Sequence, residues 1–177
     1  MLAGARSQAT RLLRRWVSSR LDTPRAPAAA LPNSAALTDS QARAARNKLH
    51  YLSAKAAFNR GDLDACMAFY AETHQLRSAD VGPGREHIRA FLAATWAAWG
   101  DLQLVVEHAV AEDEWVMGRC RFTATHSQIV MDLPPTGRTV DTSFWDLHRF
   151  DAQGRICETW NVSDQAAVLR QLSACDG

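Results

Sequence analysis

The chain has 177 residues, 47% of them hydrophobic and 22% charged, the balance of a soluble globular protein with one ordinary domain and an extension. Its formal net charge is +1, but residues 1–40 hold six arginines against two aspartates, so a +4 start precedes a −3 body. That body offers no electrostatic footprint for nucleic acid, no apolar run is long enough to span a bilayer, and the four scattered cysteines lack the C-x-x-C pairs of a zinc site and the density of a disulfide framework.

The first 37 residues read as an extension outside the fold. Leu12, Leu13, Trp16 and Val17 sit among Arg11, Arg14, Arg15 and Arg20, and no acid precedes Asp22. An arginine-rich, acid-poor, amphipathic start predicts an organelle transit peptide, mitochondrial in the first instance and plastid as the alternative. Pro24, Pro27 and Pro32, with the Ala28-Ala29-Ala30 run, then predict a disordered linker. An untargeted disordered tail is the other reading of the same composition.

The folded body is expected over residues 38–177. Thr38 and Gln41 have capping-box spacing, and Ala45, Leu49, Leu52 and Ala56 recur at helical spacing up to Asn59-Arg60-Gly61. A shorter helix begins at Asp62 or Asp64 and carries Leu63, Cys66, Met67 and Phe69; residues 72–84 read as irregular. Ile88, Phe91, Leu92, Thr95, Trp96 and Trp99 form the clearest helical stripe, ended by Gly100-Asp101. Strands follow at 102–110 and 115–125, joined by the polar turn Glu112-Asp113-Glu114. After the turn Pro134-Pro135-Thr136-Gly137-Arg138 comes a strand at 140–150, then a turn at 151–155, a strand at 156–164 and a closing helix with Val168, Leu169 and Leu172.

Helices followed by a run of antiparallel strands make an α+β domain. A sheet of this length twists and curls, and helices across its open side would close a cone that holds a ligand. In the strand at 140–150, Phe144, Asp146 and His148 alternate and share one face, which makes them a candidate pocket floor. A solvated Asp146 is the alternative. Trp115, Met117, Phe122 and Trp145 are candidates for the outer face of the sheet, where an apolar patch would support a homodimer.

The order of these motifs resembles the SnoaL-like polyketide cyclases, or ester cyclases, of the nuclear-transport-factor-2-like superfamily. The resemblance rests on Asn47-Lys48-Leu49, the stretch Asn59 to Ala65, Gly84-Arg85-Glu86 before Arg89-Ala90-Phe91, and Thr123-Ala124-Thr125-His126. It continues through the turn at 134–138 and Glu158-Thr159-Trp160 before Val162-Ser163-Asp164. It covers residues 45–173. The resemblance implies a cone-shaped sheet under N-terminal helices, a small hydrophobic ligand, and cofactor-independent cyclase or isomerase chemistry of the aldol type on a carbonyl compound. A non-catalytic ligand-binding or dimerisation module of the same fold is the alternative.

By the resemblance, Asp146 and His126 take acid–base roles, and Trp160, Asn161, Phe144 and His148 line the substrate site. Two departures bear on this. Many relatives carry aspartate where this chain has Asn161, and an amide takes no proton. Many also carry histidine followed by Asn or Asp where Arg77-Ser78 stand, with His74 nearby but out of register. The six histidines form no H-x-H or H-x-x-x-H pair, so no metal site is expected, and no nucleophile elbow or phosphate-binding glycine loop is present. Cys120 and Cys157 read as core thiols, and Arg119 and Arg121 as a solvated or dimer-facing stripe.

Overall fold

A computed structural model describes residues 34–173. The segment up to residue 33, on which the expected transit peptide and linker fall, and Cys175 lie outside them. Helix α1 spans Ser34–Asn59, α2 Leu63–Met67, α3 Arg85–Ala98 and α4 Gln165–Ser173. The strands are β1 Tyr70–Leu76, β2 Trp99–Glu112, β3 Trp115–His126, β4 Thr139–Phe150 and β5 Ile156–Ser163. They form one curved, open sheet in the order β1-β5-β4-β3-β2, antiparallel except for the β1–β5 pair. Register shifts within β2, between Gly100 and Gln103 and between Val106 and His108, bend the long β2–β3 ribbon.

Even-numbered residues of β3 and β4 face the helices. Val116, Cys120, Ala124, Val140, Asp146, His148 and Phe150 are buried, while odd-numbered neighbours such as Met117 and Trp145 are exposed. Tyr51, Ala54, Ala57 and Phe58 of α1 join Ile88 of α3 and the inner strand residues in one core. Three side chains lock α1 onto the β2–β3 hairpin. Asn59 exchanges two hydrogen bonds with the backbone of Leu104, at 2.7 and 2.8 Å. Asn47 donates to the carbonyl of Asp113 at 3.0 Å, and Ser40 donates to the Asp113 carboxylate at 2.6 Å. Gly61, at φ 71°, ends the α1 turn as expected of a residue that accepts the left-handed region.

Four expectations are corrected. Residues 70–76 are a strand; a bulge between Tyr70 and Gln75 breaks the alternation that would announce it. Helix α1 starts at Ser34, so Thr38 lies inside it and does not cap it. Trp99 opens β2 and does not close α3. The face of α1 is also rotated: Ala45, Leu49, Leu52 and Ala56 are exposed, and Asn47, Tyr51, Ala54 and Phe58 are buried. The polar groups of Asn47 and Tyr51 find partners inside, so they occupy positions that an apolarity count gives to leucine.

Candidate functional site

The site is built where β4, β5 and α1 meet. On β4 the inward positions are Phe144, Asp146 and His148; across the ladder Asp146 pairs with Asn161 and His148 with Thr159. From α1, Tyr51 and Lys55 stand four residues apart and so share a face above this floor. Tyr51 Oη donates to Asp146 Oδ1 at 2.9 Å, and Lys55 Nζ forms an ion pair with Asp146 Oδ2. His148 Nε2 stands 3.1 Å from Asp146 Oδ2, close enough for strong electrostatic coupling but outside good hydrogen-bond alignment. Asp146 and His148 are each 1% exposed.

Gly118 makes this convergence possible. It sits opposite Asp146 on β3, and a Cβ there would stand 1.9 Å from Tyr51 Oη and 2.8 Å from Asp146 Oδ1. Only a residue without a side chain lets the phenol reach the carboxylate.

A chain of contacts continues away from Asp146. Thr159 Oγ1 lies 2.9 Å from His148 Nδ1 and 2.9 Å from His74 Nε2. One hydroxyl has one proton, so it donates to one imidazole and accepts from the other. A proton on His148 Nε2, facing the carboxylate, leaves Nδ1 to accept from Thr159, which in turn accepts from His74 Nε2–H. This assignment follows from the network. Both imidazoles are then neutral. That agrees with burial, which pushes His74 down to about 4, helped by His148, and lowers His148 against the opposing pull of Asp146. At Asp146 burial alone would raise the pKa, but Lys55 and His148 outweigh it and hold the carboxyl below the ordinary range. At Lys55 burial acts to lower the pKa, and Asp146 outweighs it, so the ammonium is retained. The site is therefore an ion pair at neutral pH.

Above the pair lies a cavity of about 360 Å3. Phe58, Phe91, Leu92, Leu104, Phe122 and Phe144 form its apolar wall, and Lys55, Ser78, Thr95, Asn161, Ser163 and Gln165 supply the polar groups. Among the described residues no aspartate or glutamate lines it. The Lys55 side chain is 15% exposed and that of Asp146 0%, so Lys55 stands between the carboxylate and the cavity. Its Nζ also lies 5.2 Å from the Phe144 ring centroid and 5.4 Å from that of Tyr51.

The expected site residues thus separate into three groups. Phe144 and Asn161 line the cavity; Asp146 and His148 lie beneath it. Two lie elsewhere, which corrects the expectation that all six share one pocket. Trp160 pairs with Leu147 on the opposite face and packs at a tilt against Trp115, with ring centroids 5.8 Å apart, because β5 alternation turns it away from Asn161. His126 is buried at the far end of β3, eight residues from Gly118, a run of about 26 Å at strand rise. There it meets Trp99 and accepts from the Thr136 backbone N–H at 3.3 Å, which makes it a holder of the 134–138 turn. Phe122, expected on the outer face, points into the cavity. Lys55, Tyr51 and Thr159 were not expected. The signal for Tyr51 and Lys55 is the stripe Asn47, Tyr51, Lys55, Phe58 at i, i+4, i+8 and i+11. Among the described residues no group of three or more His, Cys, Asp or Glu is arranged to hold a metal ion, and no helix is long and apolar enough to cross a membrane.

The comparisons with known proteins converge on one family. The family model for SnoaL-like polyketide cyclases matches residues 48–172. Among solved structures, AclR of Streptomyces galilaeus, a candidate hydroxylase, is 29% identical with a TM-score of 0.65, covering 73% of this chain and 96% of its own. IdmH of Streptomyces antibioticus, a candidate polyketide cyclase, is 29% identical with a TM-score of 0.63 over 72% of this chain and 99% of its own. A candidate SnoaL-like polyketide cyclase from Jannaschia sp. CCS1 is 22% identical with a TM-score of 0.67 over 74% and 94%, a likeness of fold. No curated protein matches the chain significantly.

Proposed function

The chain belongs to the SnoaL-like polyketide cyclase family, and we propose that it binds a small hydrophobic carbonyl compound in this cavity and promotes enolate chemistry of the ring-closing type. One observation carries the reading. The cavity floor presents a retained ammonium, Lys55, with its counter-ion sealed behind it. An ammonium fixed in an apolar wall is an electrophilic group: it donates to a carbonyl oxygen and stabilises the negative charge that develops there when an adjacent carbon loses its proton. No lining residue is a competent base, and Asp146 is held below the usual carboxylate range, so the departing proton goes to solvent. That suits a methylene already acidified between two carbonyls. The apolar wall folds the chain so that the enolate carbon meets its carbonyl. In this mechanism Asp146 orients Lys55 and does not itself take the proton.

The missing base also favours a second reading, a binding module that holds such a compound without turning it over. Solvent deuterium exchange separates the two. A hydrophobic 1,3-diketone in D2O should exchange its central protons faster with protein present, and Lys55→Met/Asp146→Asn should lose that acceleration by about 10²-fold or more. Binding seen by ligand-observed NMR with no acceleration would establish the second reading.

Two inferences lie outside the site. The arginine-rich start supports import into an organelle, the mitochondrion first; a cytosolic fusion of residues 1–40 to a fluorescent protein would oppose it. Exposed Met117 and Trp145 on the outer face support a homodimer, which a monomeric mass by sedimentation at micromolar concentration would oppose.

A further inference from the structure

We propose that the ligand of this cavity carries a carboxylate, so that the natural compound is a hydrophobic keto acid and not a neutral ketone or ester. The inference rests on reading the cavity as a ligand site and adds the charge of its occupant.

It starts from donors without partners. Lys55 Nζ has three N–H groups, and one acceptor, Asp146 Oδ2, is within reach among the described residues. The remaining two belong to an ammonium that is largely withdrawn from water and flanked by the rings of Tyr51 and Phe144. Asn161 adds a further donor. Its backbone N–H donates to Ser78 Oγ at 3.0 Å, so the Ser78 hydroxyl proton is free to donate to Asn161 Oδ1 at 3.2 Å. That fixes the amide with its oxygen on Ser78 and leaves Nδ2 without a described partner. Asn161 is the ladder neighbour of Asp146, and Asn161 and Lys55 both line the cavity.

The lining therefore offers unspent donors and no acid. The negative charge nearest by, on Asp146, is already engaged by Tyr51, Lys55 and His148 and has no exposure to the cavity. An incoming anion meets the ammonium before it meets the carboxylate. Four unspent N–H groups, two on Lys55 Nζ and two on Asn161 Nδ2, suit a carboxylate together with a neighbouring carbonyl, and charge-assisted bonds in a withdrawn site are the stronger kind. A protonated amine would meet the like charge of Lys55 and find no carboxylate among the described lining residues.

The test uses three probes of one shape: 4-phenylbutyrate, 5-phenylpentan-2-one and 4-phenylbutylamine, with affinities measured by NMR titration at pH 7. The full chain should bind the carboxylate at least about tenfold more tightly than the ketone, and the amine weakest. Asn161→Asp, which restores an acid to the lining, should weaken the carboxylate about tenfold and leave the ketone within about twofold. The charge-balanced pair Lys55→Met/Asp146→Asn should bind carboxylate and ketone equally. A ketone or amine preference in the natural chain, failure of all three probes to bind, or an Asn161→Asp variant that binds carboxylate as before, would overturn the proposal. The outcome is independent of whether the protein accelerates deuterium exchange, since affinity and turnover are read separately.

Discussion

The two faces of β4 and β5 use the same kinds of residue to opposite ends. On the outer face Asp141 pairs with Arg121 at 2.8 Å, and Glu158 is gripped by Arg77 at 3.0 Å and by Arg149. Water surrounds the Asp141–Arg121 pair and screens it, and the arginines that hold Glu158 reach solvent. Farther along β4 from Asp141, on the inner face, Asp146 has no exposed side-chain surface and depends wholly on Tyr51, Lys55 and His148. Removing a partner from a surface pair returns the other to water, whereas removing one inside strands a charge. The inner pair is the place where a change in sequence must be answered by the whole site, and it is the pair that the cavity reaches.

Substitutions should separate the faces sharply. The largest effect is expected for Lys55→Met, which leaves the buried Asp146 carboxylate unpaired and should cost roughly 3–5 kcal/mol by urea denaturation. Asp146→Asn should cost less, because Lys55 can turn its ammonium to the cavity and to water. A fall of under about 1 kcal/mol for Lys55→Met would mean that Asp146 is not sustained by this pair. Next comes Gly118→Ala. Its methyl group collides with Tyr51 and displaces the phenol from Asp146, at a cost of roughly 2–4 kcal/mol in the same assay.

Acid should act through the inner face as well. His74 titrates near 6.5 when unfolded and at about 4 when folded, because burial and His148 disfavour its charge. Between those values the unfolded chain binds more protons, so stability falls as the pH drops from about 6.5 to about 4 and then levels off for this group. The loss is on the order of 2–3 kcal/mol, and His148 acts in the same direction. His74→Gln should flatten that slope in denaturation curves recorded at pH 7 and pH 4.5. The smallest effect is expected for Arg121→Ala on the outer face, with no resolvable change in melting temperature.

This contrast also explains what the sequence could and could not disclose. The turns at 134–138 and 151–155 and the period-2 strands were legible because proline, glycine and alternation leave local marks, and they placed Phe144, Asp146 and His148 on one face. Strand β1 was hidden because its bulge spoils the alternation around His74. The inward face of α1 was hidden because it carries Asn47, Tyr51 and Lys55, whose reason for being inside lies 66 to 95 residues away, at Asp113 and Asp146. Polar residues satisfied by distant partners leave no hydrophobic period to read. Trp160 was placed in the pocket by resemblance, and the alternation of β5, which puts Asn161 inward, places it outside.

The central claim is that Asp146 is a fixed counter-ion and that Lys55 is the group a ligand meets. The most direct measurement is a carbon-13 NMR titration of the Asp146 side-chain carboxylate in the full chain, followed from about pH 8 down to about pH 3.5, around and above the ordinary aspartate pKa. The carboxylate should stay ionised across that whole range, with the shift of a charged group throughout. An inflection between about pH 5 and pH 8 would show Asp146 exchanging protons as a general base, and would contradict the account.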